Sequence, residues 1–156
     1  MNRVLVFLYI RPLLMIAVFP WLIAVLSGAA AGTAPLVLVG LIVGALGSIL
    51  LGSAHWLVYR PAQWTSQRSP FGTPDGLVTT GPYRYLRHPQ LVGVYAVILA
   101  WALALPHWTL FAYLVATMVT SMTVAVRAEE KQVEQAFPVR YRDYRSRTRR
   151  FVPGVV

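Results

Sequence analysis

Apolar residues run along this chain in four long stretches, and polar residues collect between them. The first stretch covers about Val4 to Leu26, interrupted by Arg11-Pro12, and the second Pro35 to Leu57. The third runs from Gln90 to Leu105 and the fourth from Trp108 to Val126. A membrane-crossing helix needs about 20 apolar residues to cover about 30 Å of hydrocarbon. The second and fourth stretches meet that length. The third is shorter, so its entry around His88-Pro89 is expected inside the bundle, away from lipid. The pattern predicts an all-α fold: a polytopic membrane bundle of about four transmembrane helices. It is expected to form a single membrane domain over residues 1–156, with a cytoplasmic motif loop 58–89 and a short helical cytoplasmic tail 127–156.

Punctuation within the stretches refines this. Pro106-His107 leaves room only for a tight hairpin between the third and fourth helices. Pro89 suits a first helical turn, where its missing N–H is not needed. Pro138 ends or restarts a helix. Gly40, Gly44, Ser48 and Gly52 recur every four residues and are expected to let a neighbouring helix approach closely. Met1-Asn2-Arg3, the apolar run and Ser27-Gly28-Ala29-Ala30-Ala31 resemble a cleavable leader. The run is too long for one and Arg11 breaks it, so it is read as a retained span with Arg11 snorkelling to the interface.

Charge adds an orientation. The connection from Ser27 to Ala34 carries no charge, whereas Val58–Pro89 holds Arg60, Arg68, Arg84 and Arg87 against Asp75 alone. Everything from Arg127 onward is rich in arginine. Basic loops stay in the cytoplasm, so both termini, the middle loop and the tail are expected there. Composition agrees: 57% of residues are hydrophobic and 12% charged, against about 25% charged in soluble domains. The net charge of +9 fits basic loops against anionic lipid better than nucleic-acid binding. The interleaved arginines and tyrosines of Tyr141–Arg150 are read the same way, as a headgroup surface. An alternative has Tyr141 and Tyr144 folding back as a cap. There are no cysteines, which excludes disulfides and thiolate chemistry. His55, His107 and His88 lack ligand spacing on one helix, so no metal site is expected.

Two polar clusters sit at the ends of apolar stretches. One is Gly81-Pro82-Tyr83-Arg84-Tyr85-Leu86-Arg87-His88-Pro89; the other is Arg127-Ala128-Glu129-Glu130. With a tight hairpin at residues 106–107 and about 1.5 Å of rise per residue, Glu129 and Glu130 return to nearly the depth of His88. Charge kept at a membrane boundary either anchors a helix or serves a site. Within the second cluster, Arg127 with Glu130 and Lys131 with Glu134 are expected to pair at three-residue spacing.

At these residues the chain resembles the superfamily of isoprenylcysteine carboxyl methyltransferases and phospholipid N-methyltransferases. The likeness runs over the C-terminal half: Gly76 through Pro89, Gly93, Glu129-Glu130, Tyr141 with Tyr144, and Phe151-Val152-Pro153. It implies a membrane-embedded enzyme using S-adenosylmethionine on a lipophilic or membrane-delivered carboxylate, amine or thiol. Carried onto this chain, Arg87-His88-Pro89 and the paired glutamates form the cofactor pocket. Tyr83, His88 and Gly93 contact the cofactor, and Glu129 and Glu130 close it. Arg127 orients a carboxylate or phosphate, and Arg127 and Glu130 are the implied catalytic pair. The family often carries tyrosine two places after the proline, where this chain has Leu91, which puts the acceptor in doubt. A sulfonium methyl is attacked in line, so the protein chiefly positions the partners; an amine or thiol acceptor also needs a base, from Glu130 or His88. No Gly-x-Gly-x-x-Gly turn supports a Rossmann site. Two alternatives remain: an NADPH-dependent membrane reductase related to the sterol reductases, and a non-enzymatic membrane adaptor.

Overall fold

Helices account for every regular element longer than a single bridge among the described residues, which are 13–59 and 77–151 of the computed structural model. Arg11, the first part of the first stretch, most of the basic middle loop and Val152-Pro153 lie outside them. A π-helical turn at Leu14–Val18 leads into α1, Phe19–Ser27, and α2 spans Ala34–Tyr59. A 3₁₀ turn at Gly81–Arg84 precedes α3, Pro89–Ala104. Helix α4, Trp108–Thr120, passes through a π-helical turn at Ser121–Ala125 into α5, Val126–Ala136. Helix α6, Pro138–Arg147, closes the order. Two helical runs are long and apolar enough to cross a membrane, Ala34–Val58 and Trp108–Ala136; Leu14–Ser27 and Pro89–Ala104 are shorter apolar helices.

The chain divides into two compact units: Met1–Ile49 with Gly93–Val119, and Leu50–Val92 with Thr120–Val156. In the first, the π-helical turn has a local cause. Pro20 has no N–H, so the carbonyls that a residue at that position would serve, four and five residues back, lose their donor. Those are Ile16 and Met15. The Trp101 indole donates to the Ile16 carbonyl at 2.9 Å, and the Tyr113 hydroxyl donates to the Met15 carbonyl at 2.9 Å. Side chains of α3 and α4 thus satisfy the backbone of the first segment.

Small residues set the approach of α2 to α3 within this unit. A Cβ at Gly47 would stand 2.7 Å from the Ala96 Cβ and 3.0 Å from the Gly93 carbonyl. At Gly40 it would stand 2.9 Å from the Ala100 carbonyl, and at Gly44 3.1 Å from the Ala100 Cβ. The expected stripe is therefore corrected at its far end. Ser48 is exposed, and a Cβ at Gly52 would meet nothing within 4 Å. Four residues turn an α-helix by about 40° more than one full turn, so a strict four-residue stripe rotates off the contact. The spacing 40, 44, 47 stays on it. Outward, α2 presents Leu41 (65% exposed), Leu46 (63%) and Ile49 (68%), an apolar surface suited to lipid. Inside, Ala24, Ala102 and Leu110 form a buried cluster with Ile23, Ala29 and Leu105 against it.

The second unit is built on short-range turns that hold polar residues. Gly81 has φ +60°, so the backbone favours glycine there, and an added Cβ would also have to displace the tip of Leu57. The 3₁₀ turn brings the backbone to Leu86, which bridges in parallel to Arg149. The Arg87 N–H donates to the Arg149 carbonyl at 2.6 Å and the His88 N–H to the Arg150 carbonyl at 3.2 Å. The C-terminal segment is thereby strapped along the Arg87-His88-Pro89 motif. Helix α6 buries Tyr141 and Tyr144 on one face, and α5 buries Val126 and Glu130 on one face.

Candidate functional site

Within the second unit the two polar clusters meet at Glu130. Its carboxylate is 8% exposed. Arg150 grips it with both ends of the fork: Nε donates to Oε1 at 3.1 Å and Nη2 to Oε2 at 2.6 Å. His88 Nε2 lies 3.3 Å from Oε1, and Arg87 Nε lies 3.4 Å from the same oxygen. A bidentate guanidinium is the strongest common partner of a carboxylate. Glu129, mostly exposed, places Oε2 3.4 Å from His88 Nδ1. Both nitrogens of the buried His88 ring therefore face carboxylates. The Phe151 ring lies 5.9 Å from the His88 ring, centroid to centroid, at 33°.

Each position has a local reason. Pro89 starts α3 at its first turn and is almost fully buried, which fixes His88 just ahead of the helix. Glu130 lies four residues after the buried Val126 on α5, so both point inward together. The strap fixes the backbone of Arg150. Tyr144 locks the 3₁₀ turn from α6: its hydroxyl donates to the Tyr83 carbonyl at 2.8 Å, with the Leu86 carbonyl at 3.3 Å. The bond to Glu130 raises the Arg150 pKa further. Burial, and then the negative charge of Glu130, pushes the Tyr141 phenol up to about 12. Burial does the same for Tyr144, to about 12. Both phenols stay neutral donors at neutral pH.

Three buried polar atoms here have no hydrogen-bond partner among the described residues: Arg87 Nε, Gln90 Nε2 and Tyr141 Oη. Arg87 Nε is within ion-pair distance of Glu130, but its N–H is not aimed at the oxygen. All three are donors. Leaving a buried donor unmade costs about 1–3 kcal/mol, so the donors of Arg87, at ion-pair distance from Glu130, and of Tyr141, which feels its charge, are suited to a ligand rich in acceptors. Groups of three or more metal-ligating side chains are absent among the described residues.

The structure joins Arg87, His88, Glu129 and Glu130, with Pro89 setting their helix start. Tyr83 enters through its backbone carbonyl. Gly93 belongs to the other unit, where its carbonyl packs against Gly47. Arg127 is exposed and takes no part in the ion pairs of Glu130. The expected pairing along α5 is also corrected. Glu130 goes to Arg150, Arg87 and His88, and Glu134 to Arg142 at 3.4 Å and Arg145 at 3.9 Å. The guanidiniums come from other segments: Arg87 and Arg150 for Glu130, and Arg142 and Arg145 of α6 for Glu134. The sequence reading missed Arg150, which it placed with the other tail arginines at the lipid surface. The available signal was its position directly before Phe151-Val152-Pro153. Of the two readings of Tyr141 and Tyr144, the burial of both residues matches the fold-back.

The described residues are all-helical, with two helical runs long and apolar enough to cross a membrane and one buried ion cluster. A family model described as phospholipid methyltransferase matches residues 35–140, more than half of the chain. The chain belongs to the phospholipid methyltransferase family, within the superfamily of integral-membrane methyltransferases. The matched segment includes His88 and Glu130 and ends just before Tyr141. No curated protein matches the chain.

Proposed function

We propose that this chain transfers a methyl group from S-adenosylmethionine to a lipophilic or membrane-delivered acceptor at the Arg87–His88–Glu130 cluster. The observation that carries this reading is the buried Glu130 carboxylate held by Arg150, His88 and Arg87, with buried donors on Arg87 and Tyr141 near it left without partners among the described residues. S-adenosylmethionine supplies an electrophilic methyl on a sulfonium. Its carboxylate, ribose and adenine offer acceptors matching the guanidinium of Arg87, the amide of Gln90 and the phenol of Tyr141. Glu130, its charge already met by Arg150 and Arg87, holds the Arg87 and His88 side chains in position around the ligand. His88 and the more exposed Glu129 stand where a proton from an amine or thiol can be accepted; a carboxylate acceptor needs none. The exposure of Arg127 near the start of α5 supports a role in meeting an anionic substrate group from outside the cluster.

In this reading the chain crosses the bilayer in four spans with both termini cytoplasmic, amid anionic lipids. Family membership supports methyl transfer over the NADPH reductase and adaptor alternatives. The test is transfer of a tritiated methyl group from S-adenosylmethionine into membrane lipid extracts by the purified protein. Incorporation that falls at least tenfold in Glu130→Gln is expected. No incorporation from any extract, together with NADPH oxidation, would overturn it.

A further inference from the structure

A cleft of about 640 Å³ opens in the second unit, lined by residues that the ion cluster does not use. Its polar wall carries Thr79, Arg84, Arg140, Asp143, Arg147 and Thr148. None of these touches Glu130. Arg84 ends the 3₁₀ turn, while Arg140 and Arg147 lie seven residues apart on α6 and so share a face. Arg147 is ion-paired with Asp143. Arg84 and Arg140 have no carboxylate partner among the described residues; Arg84 only approaches the Tyr85 ring, 5.9 Å from its centroid. The lining therefore carries three guanidiniums against one carboxylate.

Like charges around a concave surface repel unless an anion bridges them. Two guanidiniums with five N–H donors each, and the Thr79 hydroxyl, match a tetrahedral anion that accepts on several oxygens. The volume exceeds that of a lone phosphate and has room for a glycerol-sized substituent on it. Thr148 Oγ1 donates to the Tyr144 carbonyl at 2.7 Å, and the Tyr144 hydroxyl is committed to the Tyr83 carbonyl. The floor is thus held rigid by bonds already made, and the guanidiniums are the free donors.

We propose that this cleft is a phosphate-binding site, separate from the methyl-transfer cluster, which takes a phosphate group borne by a lipid headgroup or free in solution. Occupancy would tie the 3₁₀ turn to α6, the two elements that Tyr144 already joins.

The test uses the full chain in a maltoside detergent, whose headgroup carries no phosphate. One arm titrates inorganic phosphate against chloride at matched ionic strength; the other titrates mixed micelles of phosphatidylglycerol against diacylglycerol, which lacks the phosphate. Thermal shift is the readout, since a ligand of the folded state raises the melting temperature. Arg84→Ala and Arg140→Ala are each expected to weaken the anion response about tenfold. Arg84→Lys should be intermediate, because it keeps charge and loses the fork. Arg142→Ala, on the exposed side facing Glu134, should match the unmutated chain. A response in both arms assigns the phosphate itself, and a response to phosphatidylglycerol alone assigns the headgroup. If the Arg84→Ala/Arg140→Ala double variant responds like the unmutated chain in both arms, or if S-adenosylhomocysteine displaces the anion competitively, the proposal fails.

Discussion

Replacing Glu130 by glutamine removes one charge and almost no volume, so it isolates the electrostatics of the cluster. The Arg87 side chain is 11% exposed and would be left buried without a counterion. Breaking a buried pair by removing one partner costs about 3–5 kcal/mol. Two features reduce that figure. Glutamine keeps one acceptor oxygen, and the Arg150 side chain, 44% exposed, can turn into water, so its share falls to about 1 kcal/mol or less. A net loss of about 2–4 kcal/mol follows. For a chain of this size each kcal/mol moves the midpoint by about 2–4 °C, which gives a drop of about 4–16 °C. The assay is thermal unfolding of the detergent-solubilised protein. Glu134→Gln is the internal control. Its partners Arg142 and Arg145 are 73% and 51% exposed, so it should cost about 1 kcal/mol at most. Equal shifts for the two variants would refute the reasoning, because burial would then not distinguish the two carboxylates.

Gly47→Ala places a methyl against the Ala96 Cβ and should cost about 1–3 kcal/mol in thermal unfolding, whereas Gly52→Ala, facing open space, should be neutral or gain up to about 1 kcal/mol from helix propensity. Single cysteines introduced at Gly32 and Ser69 should label from opposite sides of the membrane; labelling from one side would end the four-span arrangement.

The sequence carried most of the helices because apolar stretches marked their extent and prolines marked several of their starts. Pro89, Pro106 and Pro138 stand where the elements start or turn. It also carried the meeting of His88 with Glu130, since a tight hairpin and helical rise leave little freedom. Other features depend on contacts that no local pattern records. Arg150 looks like Arg145, Arg147 and Arg149 in composition; its place before Phe151 was a hint, and the backbone bonds of Arg87 and His88 to residues 149 and 150 are what select it. The Gly40, Gly44, Gly47 contact depends on how a helix face rotates along its length. The π-helical turn before α1 needed Pro20 to be read together with donors from Trp101 and Tyr113. The arginine cleft joins two segments more than fifty residues apart.

The central claim is that the Glu130 cluster is a cofactor site. Calorimetric titration of S-adenosylhomocysteine into the solubilised chain, with NADPH as the contrast ligand, tests it most directly. The account predicts saturable binding of S-adenosylhomocysteine and none of NADPH. His88→Ala, Glu130→Gln and Arg150→Ala should each weaken that binding at least tenfold, and Arg145→Ala should leave it unchanged. The His88→Ala/Glu130→Gln double variant should lose less than the sum of the two, because the groups share one ligand. Undiminished binding in all three cluster variants, or binding of NADPH in place of S-adenosylhomocysteine, would contradict the account.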